Sequence, residues 1–223
     1  MVYTIFMTLP PFKLERYFAE YEFAARYLLS SSDCDGLALG DVLALADSET
    51  RSLWDHLTLG YTESAGHPLL RAEIARLYQG ITPGDCLEVV PEEGIYLAMH
   101  SILRPGDHVI CTFPGYQSLY QVAASLGCDV TRWAPDESSG WRFDPDFMER
   151  NLRPETKLVI VNFPHNPTGS LPALADYTRI VDLAREHGVY LFSDEMYRLL
   201  EYDPATRLPP ACERYEKAIT LSG

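Results

Sequence analysis

The stretch KLVIVNFPHNPTG, Lys157 to Gly169, carries the strongest structural signal in the chain. Its first half is a nearly continuous apolar run, not an alternating one. Such a run marks a strand covered on both faces, as in a parallel sheet flanked by helices. Its second half stops abruptly in two prolines that flank Asn166. Pro164 and Pro167 fix the backbone where the strand must end, and so aim Asn166. A second apolar run, VYLFS, follows at Val189 to Ser193 and ends in Asp194-Glu195-Met196-Tyr197.

On either side of this stretch, strands alternate with helical segments from about Leu87 onward. CLEVV is expected as a strand, followed by a helix through EEGIYLAMHSIL. HVICTF is a strand, followed by a helix through YQSLYQVAASL. KLVIVNF leads into a helix through ALADYTRIVDLAREHG. VYLFS comes next, and AITLS closes the chain. Upstream, Phe12 to Leu29 places Leu14, Tyr17, Phe18, Tyr21 and Ala25 at three- and four-residue steps, an amphipathic helix. SSSDCDG breaks it with turn-formers. A further helix is expected through HPLLRAEIARLYQG, with Pro68 in its first turn and Gly80 past its end.

The bulk numbers narrow the function. The 223 residues are enough for one large core or two modest domains. Hydrophobic residues make up 47% and charged residues 22%, ordinary for a soluble globular protein. The net charge of −14 repels phosphate backbones and disfavours nucleic acid as a partner. No apolar run approaches the ~20 residues that span a bilayer, so no membrane partner is expected. The opening MVYTIFMTLP lacks a basic segment and reads as a docking arm rather than a signal peptide. Five cysteines without CxxC spacing read as reduced thiols of a cytoplasmic protein, not a metal site.

Ligands of parallel sheets sit beyond the carboxyl ends of the strands. Four such ends carry unusual residues: Pro91-Glu92-Glu93-Gly94, Pro114-Gly115-Tyr116, the loop around Asn166, and Asp194 with Tyr197. Singly, each has an ordinary reading. Asp194 is as readily a helix cap, Tyr116 a core residue, and PHNPTG a rigid turn. Together they offer a helix N-terminus for an anion, a stacking ring, an amide and a carboxylate. A flat, phosphorylated, nitrogen-containing aromatic cofactor needs that set.

With NFPHNPTG followed by SDEMY, the sequence resembles the class I/II aminotransferases, pyridoxal-phosphate enzymes of fold type I. LGYTESAGHPLLRAEIARLY, LRPGDHVICTFPGYQSLY and FDPDFMER add to the resemblance, which runs from about Phe12 to the end. It implies an α/β fold, a mostly parallel sheet with flanking helices, preceded by a helical N-terminal arm. Residues 1–40 would form the arm and part of the small domain, and residues 41–223 an incomplete cofactor-binding large domain. It implies pyridoxal 5'-phosphate as cofactor, an amino acid and a 2-oxo acid as substrates, and a homodimer.

By the same resemblance, Asp194 pairs with the protonated pyridine nitrogen and keeps the ring an electron sink. Asn166 and Tyr197 bond the ring's phenolate oxygen, and Tyr116 stacks on the ring. Pro91 and Glu92 fall in the phosphate loop. Val90-Pro91 departs from the family's small-residue pair, so the phosphate would rely on the amides of Glu92 and Glu93 and the helix dipole. Tyr61 matches a tyrosine that reaches the neighbouring subunit's cofactor. Ser31 and Ser32 lie where the family approaches the substrate carboxylate, in a segment that departs from its glycine-containing pattern. The peptide before Pro167 is expected to be cis.

No catalytic residue is assigned. The family's Schiff-base lysine follows the strand that here reads KAITLSG, roughly three residues beyond Gly223. Lys13, Lys157 and Lys217 do not match it. The chain is therefore expected to be the N-terminal portion of a longer enzyme, inactive alone. The alternatives are another pyridoxal-phosphate reaction of amino acids on the same fold (elimination, cyclisation or oxidation) and a non-catalytic short form. No GxGxxG follows any strand, which disfavours a dinucleotide-binding domain.

Overall fold

The computed structural model describes residues 9–223. The docking-arm reading of the opening segment falls mostly on Met1 to Thr8, outside the described residues. Four helices come first: α1 (Lys13–Tyr21), α2 (Leu39–Ala44), α3 (Ser48–Asp55) and α4 (Pro68–Ala75). Then helices and strands alternate: α5 (Pro91–Ile102), β1 (His108–Thr112), α6 (Gln117–Ser125), β2 (Asp129–Trp133), α7 (Pro145–Asn151), β3 (Thr156–Asn162), α8 (Leu174–Glu186), β4 (Tyr190–Asp194) and β5 (Ala218–Leu221).

The five strands form one sheet in the order β2-β1-β3-β4-β5, and every pairing is parallel. Parallel neighbours need a crossover, and a helix lies between each consecutive pair from β1 to β4. β3 and β4 are covered on both faces, which is why they read as nearly unbroken apolar runs. Successive side chains feed two cores. Val159, Val161 and Leu191 pack towards α7 and α8, with Phe143, Tyr177 and Ile180. Leu158, Ile160 and Phe192 pack towards α5 and α6, with Ile95, Met99 and Leu119. Each such side chain contributes about 1.5–3 kcal/mol on leaving water.

The register aligns the strand ends. Asn162 of β3 stands opposite Asp194 of β4, and Asp194 opposite Leu221 of β5. The carboxyl ends of three neighbouring strands thus form one row.

Three expectations need correction. Cys86 to Val90 is extended but belongs to no strand. A strand needs a ladder partner, and the backbone bond this stretch makes to a distant segment, Glu88 N to Ala65 O, leads to a loop. The first helix ends at Tyr21 rather than Leu29, because its apolar residues beyond that point, Phe23 above all, face solvent. The helix expected to stop just before Gly80 ends at Ala75. The unforeseen β2 is a half-exposed edge strand of mixed composition, DVTRW, paired with β1 alone among the described strands.

Candidate active site

A cleft of about 750 Å3 opens at the carboxyl ends of β3, β4 and β5. Its lining includes Tyr116, Asn162, Asn166, Asp194 and Tyr197, the start of α5 at Pro91, and Leu14, Glu15 and Phe18 of α1. The sheet brings the first five together, although they are up to 81 residues apart in sequence.

Asp194 is the last residue of β4 and is almost wholly buried. Burial pushes its carboxyl up to about 6. Donation from the Met196 amide at 3.2 Å and from the Asn162 side chain opposes that rise, and the Glu92 charge adds to it. A buried carboxylate raised this way gains most from a cation placed beside it.

Asn162 ties two strand ends together. Its Nδ2 donates to the Asp194 carbonyl at 3.1 Å, and its Oδ1 accepts from the Asn166 amide at 2.7 Å. Apolar periodicity does not single this residue out and treats it as one more strand position. Its signal is a polar side chain closing a run of apolar ones, since a fully buried amide must find partners.

Past Asn162 the chain turns sharply. The peptides before Pro164 and Pro167 are cis, as is that before Pro114. Gly169 takes a positive φ of 70°, which closes the turn with its amide on the His165 carbonyl at 2.7 Å. His165 is buried inside this turn. Its Nε2 donates to the Pro114 carbonyl and its Nδ1 accepts from the Thr168 hydroxyl, each at 2.8 Å. The ring is therefore the Nε2–H tautomer, and burial pulls its pKa down to about 4. It braces the loop after β1 against the loop after β3, so that Tyr116 and Asn166 are held by one side chain.

Asn166 Nδ2 donates to the Tyr197 hydroxyl at 3.3 Å, and that hydroxyl donates to Ser32 Oγ at 2.8 Å. Tyr116 is half-buried at the start of α6, with the Phe12 ring edge-on at 4.8 Å. Burial raises its phenol, and the neighbouring Glu92 carboxylate raises it further. At the start of α5, Val90 supplies no capping side chain and Pro91 has no N–H. Gly94 N already bonds to Val90 O, which leaves the Glu92 and Glu93 amides for a ligand.

The other expected positions fall as follows. Ser32 lines the cleft. Ser31 does not, and its hydroxyl accepts from the Asp33 amide. Glu92 stands beside Tyr116 but is not among the lining residues of the cleft, and faces a neighbouring groove instead. Tyr61 lies outside the cleft and is fully exposed. No lysine is among the lining residues described, and Arg198 is the single cationic side chain among them. Among the described residues no cluster of metal-binding side chains occurs, and no helix is long and apolar enough to cross a membrane.

The arrangement suits a flat cationic ring. A carboxylate waits at one edge, two donors at another, an aromatic face lies alongside, and free amides stand at a helix start.

Comparison with known proteins bears on which ring that is. The sequence pattern of the family described as aminotransferase class I and II matches residues 27–223. Capreomycidine synthase of Streptomyces vinaceus is 33% identical over 210 residues, 92% of this chain and 52% of that protein. Aspartate/prephenate aminotransferase of Thermus thermophilus is 30% identical over 169 residues, 73% of this chain and 44% of that protein. Among solved structures, a PLP-dependent aminotransferase from Streptococcus suis 89-1591 superposes with a TM-score of 0.87. It is 30% identical, and the match covers 97% of this chain and 58% of that one. The chain spans about half the length of the curated relatives it matches.

Proposed function

The chain belongs to the aminotransferase class I and II family, and we propose that it supplies the ring-facing part of a pyridoxal-phosphate site used to move an amino group between an amino acid and a 2-oxo acid. The observation that carries this reading is the buried carboxylate of Asp194, set across the strand ends from the hydrogen-bonded pair Asn166 and Tyr197. Pyridoxal phosphate supplies an aldehyde that bonds to amino groups and a ring that withdraws electrons from them.

The residues present fit that group. Asp194 accepts the proton-bearing ring nitrogen, and a cation there offsets the burial that raises its carboxyl. Asn166 and Tyr197 turn their polar ends to the ring's oxygen substituent. Tyr116 covers one face and keeps water from it. The Glu92 and Glu93 amides at the start of α5, with the helix dipole behind them, take the phosphate; Pro91 sets the angle at which the helix begins. Ser32, on the Tyr197 hydroxyl, and its chain neighbour Ser31 are the candidates to meet a substrate carboxylate.

The proposal extends to assembly. Tyr61, exposed and away from its own cleft, is suited to reach the site of a second copy, so the working form is a homodimer. Residues 1–40 belong with a small domain and residues 41–223 with the large one. Five free cysteines accord with a cytoplasmic, biosynthetic enzyme of amino-acid metabolism.

Binding of pyridoxal phosphate, followed by equilibrium dialysis, tests the site without requiring turnover. Asp194→Ala and Tyr116→Ala should each weaken binding at least tenfold, and variants that bind as well as the parent would refute the assignment. Because no lysine lines the cleft, residues 1–223 alone should form no 2-oxo acid from any amino acid; detectable ketoacid would overturn that expectation.

A further inference from the structure

Asp194 faces the cleft, while its neighbours Ser193 and Glu195 face the other side of the sheet, towards α8. Glu195 is only 5% exposed. Its Oε1 accepts from the Ala211 amide at 2.9 Å and from the Thr220 hydroxyl at 3.2 Å. Its Oε2 has no protein partner. Three further buried polar atoms also lack one: Ser193 Oγ, Tyr177 Oη on α8, and Arg198 Nε. Buried polar atoms are hydrogen-bonded in the great majority of cases, so four orphans in one place call for a common cause.

The place is one small cavity. Ser193, Glu195, Tyr177 and Arg198 all line it, and the remaining wall is apolar, with Phe163 and Leu208, apart from Glu201. Its volume is about 10 Å3, room for the centre of a single water-sized particle. We propose that this cavity is a binding site for one internal water molecule.

The donor and acceptor count closes. Arg198 Nε–H and the Tyr177 hydroxyl donate to the water oxygen. The water donates to Glu195 Oε2 and to Ser193 Oγ. Four bonds fill the water and pair all four orphans. Charge also selects a neutral guest. The Arg198 guanidinium balances the Glu195 carboxylate, and Arg207 pairs with the remaining lining carboxylate, Glu201, at 2.9 Å, so neither a cation nor an anion is called for. Burial raises the Glu195 carboxyl, and the Ala211 and Thr220 bonds, the nearby Ser193 hydroxyl and the Arg198 charge oppose that rise. The water adds one more donor to the ionised form. Arg198 lines the cleft as well as the cavity, so the water holds from behind a side chain that the cleft presents in front.

A high-resolution crystal structure of the full chain tests this directly. The expected result is one spherical density peak about 2.7–3.2 Å from the four atoms. Ser193→Val should fill the space and abolish the peak, whereas Ser193→Ala should keep it on three partners. In solution, water relaxation dispersion should count one long-lived water fewer in Ser193→Val than in the parent. A dry cavity in the parent with the four groups bonded to one another, or density for a heavier ion, overturns the proposal. So does an unchanged count of long-lived waters. If Ser193→Val does not fold, the parent map alone decides.

Discussion

The central strands and the first three helices use apolar residues to opposite effect. From Leu158 to Asn162, β3 offers essentially no surface to solvent, and β1 is covered throughout. In α1, α2 and α3 no residue is buried. Yet α1 carries a regular amphipathic face, and Phe23, Leu29, Leu45 and Leu59 beyond it are more than 80% exposed. Periodicity states which residues gain from burial; it does not say what covers them. The strands are covered by helices on both sides of the sheet, α5 and α6 on one face and α7 and α8 on the other. The first helices touch the rest mainly where Phe12 meets Tyr116 and Gln117 bonds to Lys13 N and Pro11 O. Isolated helices of nine residues or fewer are marginal in water, so this region depends on such tethers.

The sharpest way to break the contrast is to open the sheet. Ile160 is fully buried between α5, α6 and the neighbouring strands. Ile160→Ala should lower the unfolding free energy by about 2–5 kcal/mol in a denaturant titration. A loss under about 1 kcal/mol would mean that this core is no better packed than the helices before it.

The site tests the same contrast from within, because it places a carboxyl where the sheet is most buried. Asp194 has a folded pKa of about 6 against an ordinary 3.8. The folded chain then holds the proton more tightly than the unfolded one. Its contribution is most favourable below about pH 4, declines as pH rises to about 6, and stays low above that. Asparagine cannot ionise. Without cofactor, Asp194→Asn should therefore be more stable than the parent at pH 8, by up to roughly 3 kcal/mol. The gap should close as pH falls from 6 towards 4. Melting curves across that range check it, and a gap that widens on acidification refutes it. Asn162→Ala should follow with a loss of about 1–3 kcal/mol, since the half-buried Asn166 amide is left without its acceptor. The same variant should bind pyridoxal phosphate more weakly; unchanged binding would show that Asn162 does not set the position of Asn166.

Where residues are covered on both faces, the sequence is readable. KLVIVNF and VYLFS announce their strands because nothing polar interrupts them, and the strand ends locate Asn166 and Asp194. DVTRW gives no such signal, because an edge strand half open to water tolerates Thr and Arg. CLEVV misleads for the converse reason: its composition suits a strand, but pairing is a property of neighbours. Within the site, Asn162 and His165 escape notice because each acts on backbone groups of distant loops. Their partners, the Asp194 and Pro114 carbonyls, are set by register and turn geometry rather than by any local pattern.

The smallest effect is expected at Leu45, and it bears most directly on the comparison. Leu45 caps the C-terminus of α2 in ordinary helical conformation and is 82% exposed. Its side chain leaves little water on folding, so Leu45→Ser removes little transfer free energy and opens no cavity. The melting temperature should not move by more than the equivalent of about 0.5 kcal/mol. A larger loss, at a concentration where the chain is monomeric, would show that α2 packs against the body in solution. The first helices would then share the cooperative unit of the sheet, and the division drawn between them would fail. A loss seen only at high concentration would instead place Leu45 in a contact between copies.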